Sequence, residues 1–337
     1  LLGDNIREIK PHFLAVVPRL LEKIFGKIVD KGSHLTGIKK ALFFWAISLG
    51  EAYKPYGKNG SFYAFKLKIA RKLIFSKWQE ALGGNLEFML SGSAPMQDRL
   101  IRVFLAAGIP VFEGYGMTES SPAITLNDLR NEGLKIGTVG KPLEGLEVKI
   151  AEDGEILMKG SSVMMGYYKN EEMTQKTIVD GFLHTGDIGE IDAEGFLKIT
   201  DRKKEMFKTS GGKYIAPAVL ESELKQSRFI EQIMIIGESE KMPAALIQVN
   251  FEFAKDWATR KHLDPATILT HDRFINRIQK EIDFHNQRFG KWEQIKRFEL
   301  TVDEWSVEEG HLTPTMKMRR KVIKEKYKNL YQKIYNS

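Results

Sequence analysis

The stretch "IPVFEGYGMTESSP", residues 109–122, decides the fold. It completes an apolar run, Ala106 to Phe112, and then gathers two glycines, a tyrosine, a threonine and a glutamate within a few positions. A surface turn after a buried strand accounts for it, and so does a ligand loop, because open α/β sheets bind ligands at the carboxyl ends of their strands. Working back, "MQDRLIRVFLAAG" (96–108) reads as a helix stopped by Gly108. "LEFMLSGSAP" (86–95) reads as a strand that ends in a turn of small residues. Further back, Phe13 to Val17 is a candidate buried strand, and Leu20, Leu21, Ile24 and Ile28 follow at helical spacing. Residues 35–82 are mostly helical, broken at "KPYGKNGS" (54–61). Strands alternating with helices predict a parallel sheet with crossover helices.

Working forward, the pattern changes at residue 133. "GTVGKPLEGLEVKIAEDGEILMKG" (137–160) and "GFLHTGDIGEIDAEGFLKITDRKK" (181–204) alternate apolar and polar residues between glycine-marked turns, which predicts antiparallel β structure. After Asp201 the pattern changes again. "VLESELKQS" (219–227) is helical, "IEQIMIIGE" (230–238) and "AALIQVN" (244–250) are strand-like, and 253–290 is mainly helical. The expected organisation is a larger domain over 1–200, with an α/β layer to 132 and a β-barrel-like antiparallel part from 133. A small α+β domain follows over 201–337.

Composition narrows the function. The 337 residues contain no cysteine, which excludes disulfides, Cys-ligated zinc and thiol catalysis and fits a reducing compartment. The longest apolar run, "ALFFWAISL" (41–49), falls far short of the roughly 20 residues that span a bilayer. A cytoplasmic location is expected. The first residues, "LLGDNIREIK", lack a Met and a secretory pattern and read as the start of a fragment. The net charge of +7 (51 basic, 44 acidic) matches the surplus of residues 317–333 alone, eight basic against one acidic. The rest balances, which argues against a broad nucleic-acid face. The basic tail reads as a solvated amphipathic helix.

Four stretches carry candidate chemistry. Gly92 in "LSGSAP" and Gly114 in "EGYGMTE" let backbone amides approach a phosphate or a flat base. Tyr115 offers a stacking face, Thr118 a hydroxyl for phosphate, and Glu119 a hard oxygen suited to Mg²⁺. Asp187 in "FLHTGDIGEID" (182–192) can accept from a ribose diol, or be an ordinary hairpin aspartate. "TDRKKEMFKTSGGKYIAP" (200–217) combines a Gly-Gly turn with lysines, as an anion loop or an interdomain hinge would. In "LTPTMKMRRKVI" (312–323), a turn at Thr313 and Pro314 presents Lys317, although lysines in basic runs are normally solvated.

The order and separation of "GYGMTES", "GYYKN" (166–170), "GFLHTGDIGEID", "GFLKITDRKKEMFKTSGGKYIAP" and "LTPTMKMRRKVI" resemble the adenylate-forming superfamily. "KPHFLAVVPRLLEKIF" (10–25) and "LSGSAPM" (90–96) resemble its long-chain fatty acyl-CoA synthetase branch. The resemblance implies two half-reactions, adenylation of a fatty acid by ATP with Mg²⁺ and transfer of the acyl group to coenzyme A. Under it, Gly92, Glu113, Gly114 and Tyr115 line the adenine site, Thr118 contacts phosphate, and Glu119 holds Mg²⁺. Asp187 and Arg202 bind ribose, and Asp201 is the hinge. Lys208, Gly211 and Gly212 approach coenzyme A, and Lys317 bridges the carboxylate and α-phosphate. The family's upstream phosphate loop has no counterpart here, so weak or absent catalysis is expected of this polypeptide alone. An acyl carrier protein as acceptor, or a non-catalytic nucleotide-binding module, remains open. So do homodimer formation and peripheral contact with the inner face of a membrane.

Overall fold

The computed structural model describes residues 2–314 and 316–336, which divide into two compact units, 1–199 and 200–337. In the first unit, β1 (Phe13–Val16), β2 (Phe88–Ser91) and β3 (Val111–Gly116) pair in parallel. β4 (Ala123–Leu126) and β5 (Lys141–Pro142) extend the sheet antiparallel from β3. The register sets Val16 beside Ser91 and Ser91 beside Glu113. The loops that leave β2 and β3 therefore emerge at one edge.

Helices Pro18–Ser33, Gly37–Glu51 and Asp98–Ala106 supply the crossover layer. Their apolar faces meet in a core that includes Leu21, Phe25, Ile47, Phe75, Trp78, Leu100 and Phe104. Each such side chain contributes about 1.5–3 kcal/mol on burial. The break expected at 54–61 falls between helices Gly37–Glu51 and Ser61–Ala70.

The antiparallel part contains β6 (Glu147–Ile150), β7 (Glu155–Lys159), β8 (Ile178–Val179), β9 (Phe182–Ile191) and β10 (Leu197–Arg202). Its strand order is β10-β9-β7-β6, with β8 beside β9. Among the described residues it is an open sheet, so the barrel-like expectation is met without closure: β6 and β10 are its edges. Its inner face packs Ile156, Met158, Leu183 and Leu197 against Tyr115 and Ile124 of the first sheet.

In the second unit, β11 (Phe207–Lys208) and β12 (Tyr214–Ile215) form a hairpin. β13 (Ile230–Ile236) and β14 (Ala244–Val249) pair antiparallel, and β15 (Phe298–Thr301) joins β14 in parallel. β13 and β14 are apolar on both faces because both are covered. Ile233, Ile235, Ala245 and Ile247 meet the helices Pro217–Leu224 and Asp272–Asn286. Met234, Ile236, Ala244 and Leu246 meet Trp305, Ile323 and Ile334. The tail thus holds two helices, Arg320–Lys326 and Lys328–Asn336, where one was expected. They part at Tyr327, whose non-helical backbone (φ −103°, ψ 28°) seats its ring in this core.

Candidate active site

The loop that leaves β3 is knotted by one side chain. The buried Ser120 hydroxyl accepts from the Met117 amide at 3.0 Å and lies 2.6 Å from the Pro122 carbonyl oxygen. Gly116 permits the close return, since a Cβ there would sit 1.7 Å from the Pro122 oxygen. The short turn Thr118–Ser120 then exposes Thr118 and leaves Glu119 half-buried.

Tyr115 and Asp187 meet directly, 72 residues apart in sequence. The Tyr115 hydroxyl donates to Asp187 Oδ2 at 2.7 Å, and both residues are buried. Asp187 reaches this position because β9 carries an irregularity opposite β7: Glu155 pairs with Ile188, but Leu157 pairs with His184. A bulge of this kind re-aims a side chain. Gly186 turns within it at φ +72°, a conformation open chiefly to glycine. Buried Glu155 secures it, with Oε1 accepting from the Gly186 amide at 2.8 Å and Oε2 lying 3.1 Å from His184 Nδ1.

Glu119 also has a partner. Tyr167, from "GYYKN", donates its hydroxyl to Glu119 Oε1 at 2.8 Å, and the Met164 amide donates to the Glu119 carbonyl at 2.9 Å. Tyr167 is held in turn by its amide, which donates to Thr174 Oγ1. Burial and the neighbouring carboxylate raise the Tyr167 hydroxyl above its ordinary pKa. It therefore stays protonated and able to donate.

Glu113 points the other way from the loop. Its Oε1 accepts from the Met96 amide at 3.0 Å, which ties β3 to the turn after β2. A Cβ at Gly92, in that turn, would stand 3.8 Å from the Gly114 carbonyl oxygen. Burial pushes the Glu113 carboxyl from 4.5 up to about 8. The folded state therefore binds a proton that the unfolded state releases above pH 4.5. Stability contributed by this group is full below that pH and is lost as pH rises through about 8. Glu113→Gln, which keeps an acceptor for Met96 without the charge, should flatten the fall in Tm between pH 5 and 8. Thermal melts across that range check it, and parallel curves would refute it.

In the second unit, Asp201 is buried, with Oδ1 accepting from the Arg202 amide at 2.6 Å. Its Oδ2 has no partner among the described residues. Burial, opposed by the Arg202 amide, raises this carboxyl to about 7. Lys208, Gly211 and Gly212 fall in the exposed β11–β12 hairpin, closed by Thr209 and Lys213, and Lys208 Nζ lies 4.5 Å from the Tyr214 ring centroid.

Lys317 stands exposed on a second tight turn. The Lys317 amide donates to Thr313 Oγ1 at 3.0 Å, the Thr313 amide donates to the Lys317 carbonyl at 2.8 Å, and Leu312 bridges Met318. The expectation of a solvated basic tail fails at Arg320. Its guanidinium donates to buried Glu221 at 2.7 Å and to Glu205 at 3.3 Å.

Residues 1–168 match the family model described as AMP-binding enzyme, and residues 205–337 match that of the AMP-binding enzyme C-terminal domain. The chain belongs to the AMP-binding enzyme family.

Among curated AMP-binding relatives, a long-chain-fatty-acid–CoA ligase of Mycobacterium bovis is 35% identical over 97% of this chain and 55% of its own length. Long chain acyl-CoA synthetase 4 of Arabidopsis thaliana is 31% identical over 100% of this chain and 53% of its own. The chain thus spans about half the length of the curated relatives it matches. The adenylation domain of a carboxylate reductase from Mycobacterium chelonae superposes with a TM-score of 0.70 at 22% identity, over 100% of this chain and 48% of that one. That likeness establishes the AMP-binding enzyme fold.

No group of three or more His, Asp or Glu among the described residues is arranged to hold a metal. One carboxylate at Glu119 nonetheless suits Mg²⁺, which keeps several waters and is usually bound by one or two carboxylates plus substrate phosphates. Sequence reasoning missed Glu155, Tyr167 and Ser120. "GYYKN" holds Tyr167 and "GYGMTES" ends on Ser120, but neither motif shows the partner that its side chain meets.

Proposed function

We propose that the chain forms part of a ligase that activates a long-chain fatty acid with ATP and transfers it to coenzyme A, with weak or absent catalysis by these 337 residues alone. The fatty carboxylate attacks the α-phosphorus of ATP and pyrophosphate leaves. The thiol then attacks the acyl carbonyl of the adenylate and AMP leaves. The observation that carries the reading is Asp187. It is buried and aimed by a bulge with its own supporting carboxylate, an arrangement an ordinary hairpin aspartate does not need.

In this reading, Asp187 and Arg202 take the ribose hydroxyls, and Gly92, Glu113, Gly114 and Tyr115 bound the adenine through backbone and ring. Thr118 donates to phosphate. Glu119, steadied by Tyr167, holds the Mg²⁺ that neutralises phosphate charge. Asp201 is the hinge, and Lys208, Gly211 and Gly212 face coenzyme A. Lys317 supplies the cation for adenylation. No helix among the described residues is long and apolar enough to cross a membrane. Contact with the fatty substrate occurs at a membrane surface.

Titration with a non-hydrolysable acyl-adenylate mimic tests the reading. Asp187→Ala should weaken binding by about 2 kcal/mol, roughly thirtyfold, as expected for lost hydrogen bonds to a charged group. Tyr115→Phe should weaken it only a few-fold, because it removes the support and keeps the acceptor. Equal binding by wild type and Asp187→Ala would overturn the assignment.

A further inference from the structure

Helix Ser61–Ala70 and the wider turn Arg71–Phe75 that continues it bury one face and open the other. Leu67, Ala70 and Phe75 are buried, and Arg71 Nε donates to the Ala106 carbonyl at 2.7 Å, which fixes the segment on helix Asp98–Ala106. The outer face is apolar: Phe62 is 71% exposed, Phe65 63%, Ile69 37% and Leu73 45%. Their spacing of three, four and four makes one stripe about 16 Å long. At about 100° per residue along helix Ser61–Ala70, Lys68 borders the stripe on one side and Lys66 on the other, and the exposed Lys72 and Lys77 follow in the wider turn and just after it. Lys66 Nζ lies 4.2 Å from the Phe62 ring centroid.

The charge of the chain as a whole conceals this region. Residues 35–79 hold nine basic side chains and one acid, Glu51, so 9 − 1 gives +8. The balance elsewhere is regional, and the expected neutral remainder contains a strongly basic surface. An apolar stripe with a lysine border is the arrangement of a helix lying in a lipid interface, its lysine stems along the chains and its ammonium groups among the headgroups.

We infer that Phe62, Phe65, Ile69 and Leu73, with Lys66, Lys68, Lys72 and Lys77, form a docking surface for an anionic lipid membrane. A second copy would set the same positive charge against itself. A nucleic acid would answer the charge and leave the aromatic stripe in water. The inference rests on the membrane contact in the functional reading and gives that contact a surface. The surface lies on helices apart from the residues assigned to nucleotide, so binding is read without turnover.

The test is co-sedimentation with vesicles, either of phosphatidylglycerol and phosphatidylcholine in equal amounts or of phosphatidylcholine alone. Wild type should prefer the anionic vesicles, and the preference should fade with added salt. Phe62→Ser/Phe65→Ser should weaken binding to them by about tenfold or more. Lys68→Glu/Lys72→Glu should abolish the preference. These side chains are exposed, so circular dichroism should remain that of wild type. The inference is overturned if wild type ignores anionic vesicles, or if both variants bind like wild type. It is also overturned if the serine variant only converts a dimer to a monomer. A silent nucleotide titration alongside intact vesicle binding would refute the ligase reading and leave this surface standing.

Discussion

Lys317→Ala should slow fatty-acid-dependent ATP–pyrophosphate exchange in the active ligase by about a thousandfold, while thioester formation from preformed acyl-adenylate stays near the wild-type rate. Adenylation joins two anions, a carboxylate and the α-phosphate. A fixed cation is worth most where their charges approach, and losing one such electrostatic contact costs about 4 kcal/mol of barrier. The second half-reaction does not join two anions, because the thiol attacks an uncharged acyl carbonyl and AMP leaves as the phosphate anion, so the cation at Lys317 is worth far less there. The turn supports the assignment: the Thr313–Lys317 hydrogen bonds fix the backbone at the base of an exposed side chain. Lys321→Ala, an exposed lysine four residues on, is the control for general loss of basic charge. Exchange within threefold of wild type in Lys317→Ala would remove the residue from the chemistry. Equal loss in both half-reactions would make it structural.

The elements that were legible share one property: their evidence is local. β3 shows in its apolar run, helix Asp98–Ala106 in its periodicity and Gly108, and β13 and β14 in unbroken apolar stretches. The shape of the site depends on pairings across long separations, which periodicity does not carry. Asp187 could be read as a candidate, but its aim depends on Glu155, 31 residues before Gly186. Tyr115 suggested a stacking face, and its hydroxyl proves to be spoken for by Asp187. Glu119 suggested a metal ligand without showing that Tyr167 steadies it from 48 residues away. In the tail, a run of like charges suggested solvation because the partners of Arg320 lie 99 and 115 residues earlier. Net charge failed in the opposite way, since a neutral sum over most of the chain hid the basic segment at 35–79.

Arg320→Ala should destabilise the second unit by about 3–5 kcal/mol, the cost of leaving a buried charge without its partner. Glu221 is buried on helix Pro217–Leu224. Its Oε1 accepts from the Ile235 amide at 2.8 Å and its Oε2 from Arg320 at 2.7 Å. Burial pushes the Glu221 carboxyl above its ordinary pKa even with Arg320 opposing it, so removing the guanidinium should raise it further. Glu205 lies 3.3 Å from Arg320 Nε and would then repel Glu221 across the same space. Stability of Arg320→Ala should therefore fall as pH rises through the carboxylate range, more steeply than wild type. Glu221→Met/Arg320→Met should recover most of the loss, because it removes both charges and keeps the volume. Urea dependence of hydrogen exchange in β13 and β14, which report on this unit alone, gives the measurement. A midpoint unchanged in Arg320→Ala would mean the pair behaves like an exposed one, worth under about 1 kcal/mol. A loss as predicted carries a functional corollary, since Arg320 follows Lys317 by three residues and anchors that turn to the core beside β13. Adenylation should then fall in Arg320→Ala with the Lys317 side chain intact, and recover in part in Arg320→Lys.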